Sequence, residues 1–179
     1  MSTSKDRIYD GFMHMCVKKP INEITIQEIA DECGISRRTV YNHFHDKYEI
    51  MNSLHTRRFV EACKASGPKH DMRSAIVHLC RAWYENQDYY RSVFSHTGQN
   101  SYPDMLFHDS FCAAEAKLKE CMKTDVLNED ITFQLEFYLN AAINASRNWL
   151  NSRTPVSPEV FGGRLFGCLP VCLARCLAE

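Results

Sequence analysis

The chain of 179 residues predicts an all-α protein: an N-terminal three-helix, helix-turn-helix domain, then a C-terminal helical bundle with a two-helix dimerisation face. Three observations predict it. Apolar residues recur at three- and four-residue spacing from Ile8 almost to the end, and no alternating run competes with them. Helix-start signals, Thr25 with Glu28, Ser36, and Asp46 with Glu49, stand just ahead of such runs. The last two helical segments are apolar over much of their circumference, which requires a cover.

Ile8, Phe12, Met15 and Cys16 define a first helix that stops before Pro20. Thr25 and Glu28 form a capping box, so a second helix begins at Ile26 and carries Ile29, Ala30 and Cys33 on one face. Gly34 can take the left-handed conformation that closes it. Ser36 caps a third, short helix that buries Val40 and Phe44 and leaves Arg37, Arg38, Thr39, Tyr41, Asn42 and His43 facing outward. Asp46 and Glu49 open a longer fourth helix with Ile50, Leu54 and Val60 along one side, ended by Gly67-Pro68. These signals divide the chain into a domain over 1–48 and a second over 49–179.

In the second domain Asp71 caps a helix with Ile76, Leu79, Cys80 and Trp83 at core positions. Asp88 starts a short helix through Phe94, and 97–101 reads as a turn. Long helices over 103–123 and 129–151 flank a polar connection. The segment from Val160 to Leu177 has only Arg164 and Arg175 as charges, and Pro170 predicts a kink between Phe166 and Leu169. A second copy of the chain is the simplest cover for these last two helices, placing Leu139, Ile143, Leu165, Leu169 and Leu173 at the interface. Gly162, Gly163 and Gly167 would permit close backbone approach there. Burial within one chain is the alternative.

A formal net charge of −1 excludes a general basic coat, so any affinity for nucleic acid must come from a local patch. No apolar run is long enough to span a membrane and MSTSKDRIYD lacks the apolar core of a signal peptide, so the expected location is cytoplasmic. Nine cysteines without CxxC pairs predict reduced thiols used as small apolar residues. Cys168, Cys172 and Cys176 fall on one face of the last helix, where core packing is favoured over a metal or redox role. His78, His96 and His108 are isolated, as surface or satisfied core residues. No nucleophile, base and orienting group can be matched, and no phosphate loop or metal motif occurs, so neither enzyme activity, a metal nor a cofactor is expected.

Function is concentrated between Glu32 and Asp46, where no carboxylate interrupts two arginines, two histidines and several hydroxyl and amide groups. A short helix in the DNA major groove reads guanine with arginine and adenine with asparagine, each pair contributing about 1–3 kcal/mol of discrimination. The pattern Thr25-Ile-x-x-Ile-Ala-x-x-Cys-Gly-Ile-Ser36, then Thr39-Val40-Tyr41-x-His43-Phe44 and Lys47, resembles the N-terminal domain of TetR-type transcriptional regulators. The resemblance implies phosphate contacts from Thr25, Ser36, Tyr41, His43 and Lys47, and base reading by Arg37, Arg38 and Thr39, with Asn42 on the same face. Members often carry glycine where this chain has Arg38, so its side chain should add a contact.

Asn148-Trp149-Leu150 followed by Ser157-Pro158-Glu159 is similar to a branch that includes regulators of dihydroxyacetone kinase operons, some of which activate through a partner protein. The expected function is a sequence-specific regulator, a repressor or alternatively an activator, acting as a homodimer on a palindromic double-stranded operator. The effector is a small molecule or a protein, and Trp83, Tyr84, Phe107, Phe111 and Tyr138 are the aromatic candidates to line its pocket. The rival reading is a helical interaction protein or small enzyme that merely contains a helix-turn-helix and binds no operator.

Overall fold

The computed structural model describes residues 3–65, 72–98 and 100–177; the expected helix end at Gly67-Pro68 and the expected cap at Asp71 lie outside them. Among the described residues there are ten α-helices and no strand: α1 (Ser4–Lys18), α2 (Ile26–Cys33), α3 (Arg37–Tyr41), α4 (Lys47–Ala65), α5 (Met72–Glu85), α6 (Gln87–Ser95), α7 (Tyr102–Met122), α8 (Glu129–Leu150), α9 (Pro158–Gly167) and α10 (Val171–Leu177). None of them alone is long and apolar enough to cross a membrane.

The chain forms two compact units, and the division is not a single cut after residue 48. The first unit combines the chain through Arg57 with Asn86–Tyr102, and the second combines Arg58–Glu85 with Pro103 onward. α6 belongs to the N-terminal unit because its aromatic face completes that core. The Phe12 and Tyr89 rings lie 6.1 Å apart edge to face, and Tyr90 and Phe94 pack around Tyr102 at 5.7 and 4.9 Å. His55 of α4 is buried in this unit with its Nδ1 3.1 Å from the Tyr102 hydroxyl. His96, expected to be a surface or satisfied core residue, stacks on Tyr48 while its Nε2 is buried without a hydrogen-bond partner among the described residues. α4 contributes Ile50, Met51 and Leu54 to the same core, whereas Val60, predicted on that side, is 42% exposed.

The core of the second unit gathers Leu118, Leu127, Leu135, Tyr138, Leu169 and Leu173. Two sequence expectations are corrected here. Leu169 and Leu173 are 7% and 0% exposed within a single chain, so they cannot be the surface that meets a second copy; the apolar face of α10 is covered by α7 and α8 instead. Gly162 likewise serves an internal approach, since a Cβ there would lie 2.9 Å from Val77 Cγ2 and 3.1 Å from its Cα on α5.

The segment around Pro170 is broken rather than kinked, with α9 and α10 diverging by 114°. Proline has no N–H to continue α9, and it disfavours the helical conformation at Leu169. Its carbonyl instead accepts the first bonds of α10, from Leu173 and Ala174 at 2.9 Å each. The break also separates the three cysteines that sequence spacing placed on one face. Cys168 ends α9, and Cys172 and Cys176 lie on α10. The expectation of nine reduced thiols fails at one pair: Cys176 is disulfide-bonded to Cys121 of α7, with Cα atoms 5.6 Å apart across 55 residues of sequence. Only the packing of α10 on α7 could bring these two together.

Candidate nucleic-acid interface and effector cavity

The reader is built around the turn between α2 and α3. Thr25 caps α2, accepting from the Glu28 N–H at 3.2 Å while Glu28 accepts from the Thr25 N–H at 2.9 Å. The Lys19 ammonium and the Thr25 hydroxyl hold the Glu28 carboxyl far below its ordinary range, down to about 2. At the other end Gly34 adopts φ 60°, which lets the N–H groups of Gly34 and Ile35 return to the carbonyls of Asp31 and Ala30 at 3.1 and 3.0 Å. This satisfies carbonyls that the end of a helix would otherwise leave unpaired. Arg7 of α1 donates to the neighbouring Cys33 carbonyl, a clamp that residue spacing did not reveal because the partners are 26 positions apart.

Ser36 then caps α3, accepting from the Thr39 N–H at 3.1 Å, with the two hydroxyl oxygens 2.8 Å apart. Val40 and Phe44 are buried, and Phe44 packs on Tyr9 at 5.7 Å. That anchoring leaves Arg37, Arg38, Tyr41, Asn42 and His43 together on the exposed side, with Thr39 half-buried beside them. Arg37 donates to the Tyr41 hydroxyl at 3.0 Å and lies 5.2 Å from its ring centroid, so two polar side chains hold each other in place. No side-chain partner orders Arg38 among the described residues. Thr25 and Lys47 lie at the ends of the surrounding elements. Lys47 donates to the carbonyls of Asn22 and Ile24 at 2.8 Å each, fixing the approach to α2. Burial pulls its pKa below the ordinary lysine value.

The second unit carries an open-sided cavity of about 330 Å³ lined from α4, α5, α7, α8, α9 and α10. Of the five aromatic candidates, Trp83 and Tyr138 line it. The other three do not: Tyr84 stacks outside on Trp149 at 6.0 Å, and Phe107 and Phe111 stack on each other at 5.9 Å. Leu139, Ile143 and Leu165, assigned from sequence to the dimer interface, line the cavity instead. A helix that is apolar all round can satisfy that requirement by facing an internal space. Sequence reasoning passed over Lys117, the one charged residue among the described residues lining this largely apolar space. Its signal was a lysine among apolar α7 positions, readable only once the opposing helices are known.

A helix-turn-helix reader followed by an all-helical unit that surrounds a cavity defines a class of two-part, DNA-binding transcriptional regulators. The profile described as "Bacterial regulatory proteins, tetR family" matches residues 8–54, and that described as "Transcriptional regulator C-terminal region" matches residues 70–169. The chain belongs to the TetR family of regulators, which are transcription factors rather than enzymes. Over 53 residues it is 42% identical to the uncharacterised regulator YerO of Bacillus subtilis strain 168, covering 30% of this chain and 18% of that protein. Over 87 residues it is 23% identical to the dhaKLM operon transcriptional activator DhaS of Lactococcus lactis subsp. lactis strain IL1403, covering 49% of this chain and 46% of that one. The chain thus matches less than half the length of each curated relative. Among solved structures, the dihydroxyacetone kinase operon activator DhaS aligns with a TM-score of 0.66 at 17% identity over 96% of this chain and 95% of that one. A TetR regulator from Streptococcus agalactiae 2603V aligns with a TM-score of 0.61 at 21% identity, over 98% and 93%. At these identities the structural likeness supports the fold.

Proposed function

We propose that this TetR-family chain is a sequence-specific repressor whose DNA affinity is set by a small molecule held in the second unit. The observation that carries the reading is the exposed, carboxylate-free α3, anchored by Val40 and Phe44 and presenting Arg37, Arg38, Tyr41, Asn42 and His43. Base reading falls to Arg37, Arg38, Thr39 and Asn42, and phosphate contact to Thr25, Ser36, Tyr41, His43 and the remaining donor of Lys47. The protein acts as a homodimer on a palindromic operator whose half-sites are about 34–36 Å apart. Phe133 and Phe137 of α8, stacked at 6.1 Å and 66% and 67% exposed, are the apolar residues that a second copy would cover.

Control requires that a ligand favour one arrangement of the readers over another. α4 runs from Ile50, Met51 and Leu54 in the first core to Phe59, Ala62 and Cys63 on the cavity wall, so one continuous helix serves both places. Selection of enriched sites from random duplex DNA, followed by transcription from a promoter carrying them, tests the reading. Recovery of a palindrome and transcription that falls when protein is added are expected. Absence of any enriched site would refute DNA reading, and a rise in transcription would refute repression. The likeness to an operon activator favours a second reading, activation, and the same transcription measurement decides between them.

A further inference from the structure

Among the described residues the cavity wall has one cationic side chain and no anionic one. Lys117 lines it from α7, and among the described residues no aspartate or glutamate does. That ammonium donates to the Leu177 carbonyl at a long 3.3 Å, and no ion pair joins it to a carboxylate among the described residues. One turn away the acidic and basic side chains of Glu115 and Lys119 are already paired with each other at 3.0 Å. An ammonium has three donors, so two remain for a guest.

Besides Ser110, two other polar groups on the wall are committed elsewhere. Ser146 donates to the Ala142 carbonyl at 2.8 Å and Tyr138 to the Leu165 carbonyl at 3.0 Å. Burial pushes the Cys80 thiol up to about 12 and raises Cys63 as well, so neither thiol is a ready nucleophile toward an electrophilic ligand. Apart from Ser110, the remaining wall is apolar, with Trp83, Leu135, Leu139, Ile143 and Leu165 among its residues.

We propose that the cavity binds an apolar monoanion, its carboxylate paired with Lys117 and its hydrocarbon body lying between Trp83 and Ile143. At roughly 30 Å³ per water-sized group, 330 Å³ admits about ten non-hydrogen atoms, the size of a medium-length carboxylic acid. An anion in low-dielectric surroundings gains more from a charge-assisted hydrogen bond than a neutral molecule does, and a cation is repelled there. This ligand class rests on the reading of the cavity as an effector site, and it can fail separately from that reading.

The test is a titration of the full chain, followed by Trp83 fluorescence, with octanoate, octanol and octyltrimethylammonium as probes. Octanoate is expected to bind roughly 10- to 100-fold more tightly than octanol, as one hydrogen bond to a charged group implies. Lys117→Met should erase that preference while leaving octanol affinity unchanged, and Lys117→Arg should retain it. Equal binding of octanoate and octanol by the wild-type chain overturns the proposal, as does a preference that survives in folded Lys117→Met. Should Lys117→Met not fold, the wild-type comparison decides alone. Octanoate bound with this preference but without effect on operator affinity leaves the ligand class standing and removes effector control. Operator binding by a chain that ignores octanoate removes only the ligand class.

Discussion

The Lys47 ammonium at the start of α4 donates to the Ile24 carbonyl at 2.8 Å, one residue ahead of the capping box that opens α2. A residue assigned by resemblance to DNA phosphate is therefore also an internal tie. Lys47→Ala should destabilise the first unit by about 1–3 kcal/mol, the range for hydrogen bonds to a charged group. Urea unfolding followed by circular dichroism checks this. An unchanged midpoint would return Lys47 to a purely DNA-facing role.

Arg38 should behave differently. It is exposed and has no intramolecular side-chain partner among the described residues, so Arg38→Ala should leave stability within about 0.5 kcal/mol of wild type. The same substitution should reduce discrimination between selected and random DNA by about 1–3 kcal/mol. Equal weakening on every duplex, with a salt slope lowered by about one, would assign Arg38 to phosphate instead.

Acid should loosen the first unit. Hydrogen bonds from Thr3 and from Arg57 lower Asp6 from 3.8 to about 2, and Lys19 and Thr25 lower Glu28 from 4.5 to about 2. Both carboxyls are more acidic folded than unfolded, so their stabilisation is fully present above the ordinary carboxylate range and is lost as pH falls through about 2. Denaturation midpoints measured across that window should fall for wild type and fall less steeply for Glu28→Gln. Parallel curves for the two proteins would show that the Glu28 contacts do not contribute.

Reduction should weaken the second unit. The Cys121–Cys176 bond closes a loop of 55 residues, for which chain entropy gives about 4 kcal/mol. Thermal unfolding with and without dithiothreitol, and of Cys121→Ser, should show a lowered and shared midpoint. A Cys121→Ser protein as stable as oxidised wild type would mean that the bond adds nothing to the packing of α10 on α7.

Glutamate substitutions at two phenylalanines and one leucine separate a dimer face from a core. Phe133→Glu and Phe137→Glu place charge on exposed α8 positions and should give folded monomers by sedimentation. Leu173→Glu puts an unpaired charge at a fully buried position and should unfold the second unit, at a penalty of several kcal/mol. A folded dimer in both phenylalanine variants would locate the interface elsewhere.

The sequence by itself determined the helices of the reader and their order, because caps and turns act over three or four residues. Thr25 with Glu28, Gly34 and Ser36 each fulfil the role that local chemistry predicts, and Val40 and Phe44 are the anchors their spacing indicated. That Arg37, Arg38, Tyr41, Asn42 and His43 would be exposed was legible for the same reason: a helix this short has few faces to distribute.

Tertiary structure alone decided which apolar surface meets which. A fully apolar stretch announces burial but not its partner, so Leu139, Ile143 and Leu165 could face a second chain or a cavity, and Leu169 and Leu173 could face a second chain or their own core. The joining of α6 to the first unit, the meeting of Cys121 with Cys176, and the placing of Lys117 on a largely apolar cavity wall all depend on contacts between residues far apart in the chain. Periodicity carries the direction of a side chain relative to its own helix; only the packing of the other helices supplies what lies there.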